Sequence, residues 1–191
     1  MESTVNTNTY TTQNSLLLKN LISYYTENNN LDDMLRIING DSKISLRIVD
    51  WFTTNYAKKY YTVYNLQKLD KRFKVYVDYK LKLRSYSKKR FDPFCRWDRI
   101  NIPYKSEQST FVQTTIGQLN FFKWAFENQV IAYIEQNYEE IEEDMNARNS
   151  MSKKNRQNIV DQKTRKKREE LSISATKTIK REEIEIVLNF A

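Results

Sequence analysis

A chain of 191 residues with 13% aromatic residues and a net charge of +8 can build one compact domain around an aromatic-rich core. It has no histidine and a single cysteine, Cys95, which excludes imidazole catalysis, an internal disulfide and a thiolate zinc cluster. Two glycines are too few for a phosphate-cradling glycine loop, and no apolar run approaches the length of a membrane span.

Residues 1–14 are polar and rich in Thr and Asn. They carry neither the basic start nor the apolar stretch of a signal or transit peptide, and are expected to be disordered. Ser15 is the expected cap of a first helix with Leu17, Leu18, Leu21, Ile22 and Tyr25 along one face. Asn28, Asn29 and Asn30 interrupt it. A second helix sets Leu31, Met34, Leu35 and Ile38 at helical spacing, and Asn39-Gly40 stops it. Asp41 or Ser42 restarts the chain as a third helix, with Ile44, Ile48, Phe52 and Tyr56 four apart and Trp51 widening the stripe. All of these stripes read as core packing.

Residues 71–90 carry two patterns. Val75, Val77, Tyr79, Leu81 and Leu83 alternate with polar neighbours as in a half-buried strand, while Tyr76, Tyr79, Leu83 and Tyr86 share one helical face. The stretch runs about twenty residues without a breaker, far longer than an ordinary strand, which favours the helix. Pro93 ends it within an aromatic, basic elbow, Phe91–Ile100. Ile100, Ile102 and Tyr104 then alternate, and Phe111 and Gln113 follow suit, so a short hairpin is expected.

Thr114 or Thr115 is the expected cap of the longest helix. Its main stripe is Leu119, Phe122, Phe126, Val130, Tyr133 and Ile134, and Phe121, Trp124, Ile131, Tyr138 and Ile141 coat the rest, as in a central, buried helix. After Glu139 it turns acidic. Residues 146–170 offer almost no apolar anchors and are expected to be a mobile basic segment or a solvated helix extension. In residues 171–191, Ile173 and Ala175, then Ile184, Ile186, Leu188 and Phe190, alternate with polar residues, predicting a terminal hairpin joined near Lys180–Glu183. The expected fold is therefore α+β: a mainly helical domain over 15–145 with a small antiparallel sheet, a basic flexible segment and a C-terminal β-hairpin packed on the domain.

Charge is unevenly distributed. Residues 57–100 carry a net +10 and residues 153–168 a net +7, separated by −5 over 101–152. In the first block Lys80, Lys82, Arg84, Lys88, Lys89, Arg90, Arg96 and Arg99 stand among Tyr86, Phe91, Phe94 and Trp97. Cations track a phosphate backbone and rings stack on bases, so this interleaving suits DNA or RNA; its bland alternative is a solvated face with inward tyrosines. Lys163, Arg165, Lys166, Lys167 and Arg168 suit a flexible nucleic-acid arm or a plain spacer. Asp78-Tyr79-Lys80, with Asp70 upstream, matches an acid-x-lysine element that on a strand holds a divalent ion. The acids Glu139, Glu140, Glu142, Glu143 and Asp144 spread around a helix and make a poor metal cage. Cys95 reads as a small buried hydrophobe. No cofactor is expected, and a non-catalytic binding protein is favoured over a carboxylate-dependent nuclease.

Three stretches carry a resemblance: Ser42-Lys43-Ile44-Ser45-Leu46-Arg47-Ile48-Val49-Asp50-Trp51-Phe52, the Phe91–Ile100 elbow, and Thr114-Thr115-Ile116-Gly117-Gln118-Leu119-Asn120-Phe121-Phe122-Lys123-Trp124. With the ending Ser172–Phe190 they resemble an uncharacterised protein family of large nucleocytoplasmic DNA viruses, mimivirus-like ones especially. The abundance of Lys, Asn, Ile and Tyr, all with AT-rich codons, fits that source. With neither an apolar span nor a targeting segment in view, a soluble, unsecreted protein is expected, and the resemblance implies the host cytoplasm as its setting, at the viral factory or in the virion. Its implied partners are nucleic acid or other viral proteins, with a minor virion or scaffold role as the rival to genome handling.

Overall fold

A computed structural model describes residues 12–27, 30–66, 71–104, 110–157 and 181–183, and the fold is α+β with helices dominant. The first helix, α1 (Gln13–Glu27), begins before Ser15: Thr12 occupies the capping position, its Oγ1 accepting from the Ser15 backbone N–H. Helix α2 (Asn30–Asn39) ends at Gly40, whose φ of +82° is the left-handed conformation that a C-terminal glycine supplies. The third helix, α3 (Leu46–Trp51), starts later than Asp41 or Ser42. Ser45 is its cap, accepting from the Ile48 N–H. A π-helical turn, Phe52–Tyr56, and the short α4 (Ala57–Lys59) continue it, and Ile44, Ile48, Phe52 and Tyr56 are all buried.

Lys71 to Arg90 divides between the two patterns that its sequence carries. Strand β2 (Lys71–Lys74) pairs antiparallel with β1 (Val63–Leu66), setting Tyr64 opposite Phe73, and helix α5 (Val75–Arg90) follows at once. Val75 and Tyr79 are buried, whereas Val77 and Leu81, two of the five residues of the apparent strand alternation, are more than half exposed. The α5 backbone breaks at Ser87, whose φ of 61° and ψ of 168° lie in a region that only glycine enters readily.

The expected hairpin forms from β3 (Arg99–Pro103) and β4 (Thr110–Thr115), with Ile102 opposite Val112. Strand β5 (Arg181–Glu183) pairs on the far side of β4 and completes a three-stranded antiparallel sheet, β3-β4-β5. Residues expected to turn a terminal hairpin thus supply a strand instead, because β4 presents an edge that a returning chain can join. Ile173, Ala175 and Ile184–Phe190 lie outside the described residues, as do positions 1–11 and 158–170; residues 146–157 belong to α8.

The long helix expected after Thr115 is three. Thr115 caps α6 (Ile116–Glu127), accepting from the Gln118 N–H at 3.1 Å. Asn128 and Asn137 each return their Nδ2 amide to the carbonyl four residues back, that of Trp124 and that of Tyr133. These side chains cap the C-termini of α6 and of α7 (Val130–Gln136), and Gln129 adopts the left-handed φ of 55° between them. Helix α8 (Tyr138–Gln157) then runs on. As the sequence requires, α6 is central: it packs against α1, α2, α5, α7 and β4, and Leu119, Phe121, Phe122 and Ala125 are fully buried. The ring of Phe91 meets those of Phe121 and Trp124 with centroids 5.3 and 5.5 Å apart, so the elbow is bound into the core through aromatic contacts.

Candidate functional site

The elbow between α5 and β3 is a dense knot of side-chain bonds. Asp92 is buried, and its carboxylate accepts from the Phe94 N–H and from Arg96 Nε at 2.8 Å and Nη2 at 2.6 Å. The Arg96 guanidinium also lies over the Phe94 ring, 5.0 Å from its centroid. Gln118 joins two elements by donating to the Pro93 carbonyl and accepting from the Thr114 hydroxyl. Gly117 lets α6 approach: a Cβ there would meet the Lys89 carbonyl oxygen at 2.9 Å. Cys95 is buried within this knot, in keeping with its reading as a small hydrophobe.

Asp50, in α3, faces the same knot. Its carboxyl is pushed up to about 6, first by burial, against which Arg96 pulls down, while Asp92 pushes it further up. No hydrogen bond to that carboxylate occurs among the described residues. Tyr79, beside it, is pushed up to about 12, by burial first and then by Asp50 and Asp92. Two carboxylates here share one guanidinium, and Asp92 holds both arms of the fork.

The basic block splits into three groups. Arg96, Lys89, Arg90 and Arg99 have defined partners: Arg96 the fork to Asp92, Lys89 a bridge to Asp98 at 2.8 Å, Arg90 a bond to Gln13 and Arg99 a bond to Gln113. Lys80, Arg84 and Lys88 are exposed, and among the described residues no carboxylate lies within ion-pair distance of them. Lys80 and Arg84, four apart, share the outer side of α5 with Val77 and Leu81. Lys82 points elsewhere and lines a cleft between α1 and α5. Trp97 is 43% exposed, and because its neighbour Asp98 is held by Lys89, its loop lies against the end of α5. Lys163, Arg165, Lys166, Lys167 and Arg168 lie outside the described residues.

The acid-x-lysine element is not built as a strand. Asp78 is in the first turn of α5, and Trp124 Nε1 donates to its Oδ1 at 2.6 Å. Two residues further on, Lys80 projects from the opposite side of the helix, about 200° round. Asp70 lies outside the described residues. Among the described residues no group of three or more acidic or cysteine side chains is placed to hold a metal ion.

Sequence reasoning missed the work of the acidic stretch of α8. Tyr56 donates to Glu140, Tyr138 to Glu142, and Trp51, Lys59 and Tyr60 all donate to Asp144. Burial alone would raise the Asp144 carboxyl, but those three hydrogen bonds outweigh it and hold the group below its ordinary value. These acids accept from an aromatic face that closes α3 and the π-turn against α8. Their signal in the sequence was the tyrosines and tryptophan of residues 51–60, which need acceptors when partly buried.

Comparison with known proteins places the chain. No solved structure matches it. "Uncharacterized protein L507" of Acanthamoeba polyphaga mimivirus is 43% identical over 152 residues, which cover 77% of this chain and 59% of that protein. The chain therefore spans about three fifths of the length of the curated relative it matches. The pattern of a family of unknown function, DUF7197, matches residues 1–189, and the chain belongs to that family, which it shares with giant-virus proteins.

Proposed function

We propose that this is a non-catalytic nucleic-acid-binding protein of a large DNA virus, acting at the viral factory or in the virion, and that it grips phosphates along the outer side of α5 and at its C-terminal end, beyond the break at Ser87. The observation that carries the reading is the pairing of cations without acidic partners and an exposed ring. Among the described residues no carboxylate pairs with Lys80, Arg84 or Lys88, and the Lys89–Asp98 bridge ties the loop of the half-exposed Trp97 to the same end of the helix. Cations of this kind displace condensed counterions from a phosphate chain, and an exposed indole stacks on an unpaired base. Arg96 has a different job, since its fork is committed to buried Asp92.

Binding to single- and double-stranded oligonucleotides across a salt series tests this. Replacing Trp97 with Ala is expected to weaken single-strand binding by about 1–3 kcal/mol and leave the salt slope unchanged. Equal loss for both kinds of strand would remove the stacking role.

A second reading, a minor virion or assembly protein, has one observation of its own. Val77 and Leu81 are 53% and 54% exposed on the same side of α5 as Lys80 and Arg84, a mixture that suits a protein surface as well as a phosphate chain. Loss of a virion-protein contact in Leu81→Asp, with oligonucleotide binding absent throughout, would favour it.

A further inference from the structure

Helices α1 and α5 both pack on α6 and leave between them a cleft of about 270 Å³. Its lining includes Asn20 from α1, Lys82 and Tyr86 from α5, and Asn120, Lys123 and Trp124 from α6. Lys82 lies off the phosphate-gripping face and turns into this cleft. The cleft gathers three kinds of chemistry. Two ammonium groups, Lys82 and Lys123, stand against a single lining carboxylate, Glu127, which lies 3.8 Å from Lys123. The aromatic wall is rigid, since Tyr86 is stacked on the buried Phe91 with an interplanar angle of 20°.

The third kind is amide oxygen. Asn120 donates its Nδ2 to the Arg90 carbonyl at 2.9 Å, and Asn128, also in the lining, donates its Nδ2 to the Trp124 carbonyl at 2.8 Å. Both partners are carbonyl oxygens, so both amides must turn their nitrogens to them. Each is left with an oxygen that seeks a donor.

We infer that this cleft binds one nucleotide, its phosphate on Lys82 and Lys123 and its base against Tyr86 with amino groups donated to Asn120 and Asn128. At about 270 Å³ the cleft lies just under the size at which small-molecule pockets begin, about 300 Å³, so it has room for no more than one unit. The amide oxygens favour bases that carry an exocyclic amine, adenine, cytosine and guanine, over uracil. The nucleotide comes either free or as one residue of a bound strand. The inference rests on the reading of the protein as a nucleic-acid binder and adds a base-selective site to it.

Calorimetric titration of the full chain with AMP, CMP, UMP, inorganic phosphate and a single-stranded oligonucleotide separates these sources. AMP and CMP are expected to bind more tightly than UMP, and phosphate alone more weakly than any of them. Lys82→Ala is expected to lower AMP affinity about tenfold, the loss of one charge-assisted contact, while Lys71→Ala, exposed on β2 and away from both the cleft and the outer face of α5, leaves it unchanged. Thermal melting of both variants confirms that they are folded; should Lys82→Ala melt early, Lys82→Gln replaces it. No binding of AMP or CMP at millimolar concentration, phosphate binding as tightly as AMP, or indifference to both Lys82 substitutions each overturns the cleft assignment. If mononucleotides fail while the oligonucleotide still binds, the outer face of α5 stands and the cleft falls. If AMP binds and the oligonucleotide does not, the cleft is a site for free nucleotide and the strand-binding reading falls.

Discussion

Arg96 and Arg84 belong to the same basic block, twelve positions apart, yet the fold treats them differently. Arg96 is locked by both arms to a buried carboxylate, under a ring and against an elbow that is itself bonded to α6. Arg84 stands on the outer side of α5 with no carboxylate in reach among the described residues. One cation stabilises the domain and the other is available to a partner. A charge count along the chain cannot tell them apart, because the division depends on backbone geometry: the elbow turns Asp92 onto Arg96 four residues on, whereas no described acid reaches Arg84.

The sharpest way to break this comparison is to remove the acid. Asp92→Ala deprives the Phe94 N–H and Arg96 of their acceptor, and is expected to cost about 2–4 kcal/mol of unfolding free energy in a urea titration, discounted because Arg96 reaches water. Arg84→Ala is expected to cost less than about 0.5 kcal/mol. Equal losses would erase the distinction between structural and available cations.

Asp50 sharpens it further. Its folded carboxyl titrates near 6, above the ordinary 3.8, so the native state holds this proton more tightly than the unfolded chain. The contribution of this group to stability is therefore greatest below about pH 4, falls as pH rises to about 6, and stays low beyond. Asp50→Asn is expected to remove that slope and to gain up to about 3 kcal/mol at neutral pH. Unfolding followed from pH 4 to 7 checks it; an unchanged slope would mean that the carboxyl is solvated.

Ser87 carries a smaller expected effect than either carboxylate. It holds a glycine-like conformation where α5 gives way to Lys88, Lys89 and Arg90. Ser87→Gly relieves that strain and is expected to stabilise the protein by about 1 kcal/mol after the entropy that glycine adds to the unfolded chain. Thermal melting reads it, and a loss of stability would place the strain elsewhere.

Much of the fold was legible because local chemistry and burial agree. Gly40 ends a helix because it lacks a Cβ and Thr115 begins one through its hydroxyl, and the apolar stripe of α6 is as central as its coating implies. The three-way division of the long helix was signalled by Asn128 and Asn137 in a chain with almost no glycine, but an asparagine caps only when its amide finds the carbonyl four residues back. The β1–β2 pairing and the start of α5 were masked, since Lys71–Lys74 flows into a helix whose own apolar residues also alternate. Of the candidate site, the exposure of the outer side of α5 follows from periodicity once the helix is known, but that of Trp97, in the loop beyond it, does not. The fork of Arg96 to Asp92 depends on the irregular backbone of the elbow, and the partner of Asp78, Trp124, on packing between elements that the sequence leaves unordered in space.

The central claim, that the outer cations of α5 meet phosphate, is tested most directly by one salt series. Lys80, Arg84 and Lys88 are replaced together by alanine, and oligonucleotide binding is measured from low to moderate salt beside the parent. The account predicts a folded variant that binds weakly and whose log–log salt slope is shallower by about 2–3, one counterion for each phosphate contact removed. A folded variant with the parent's affinity and slope would contradict it.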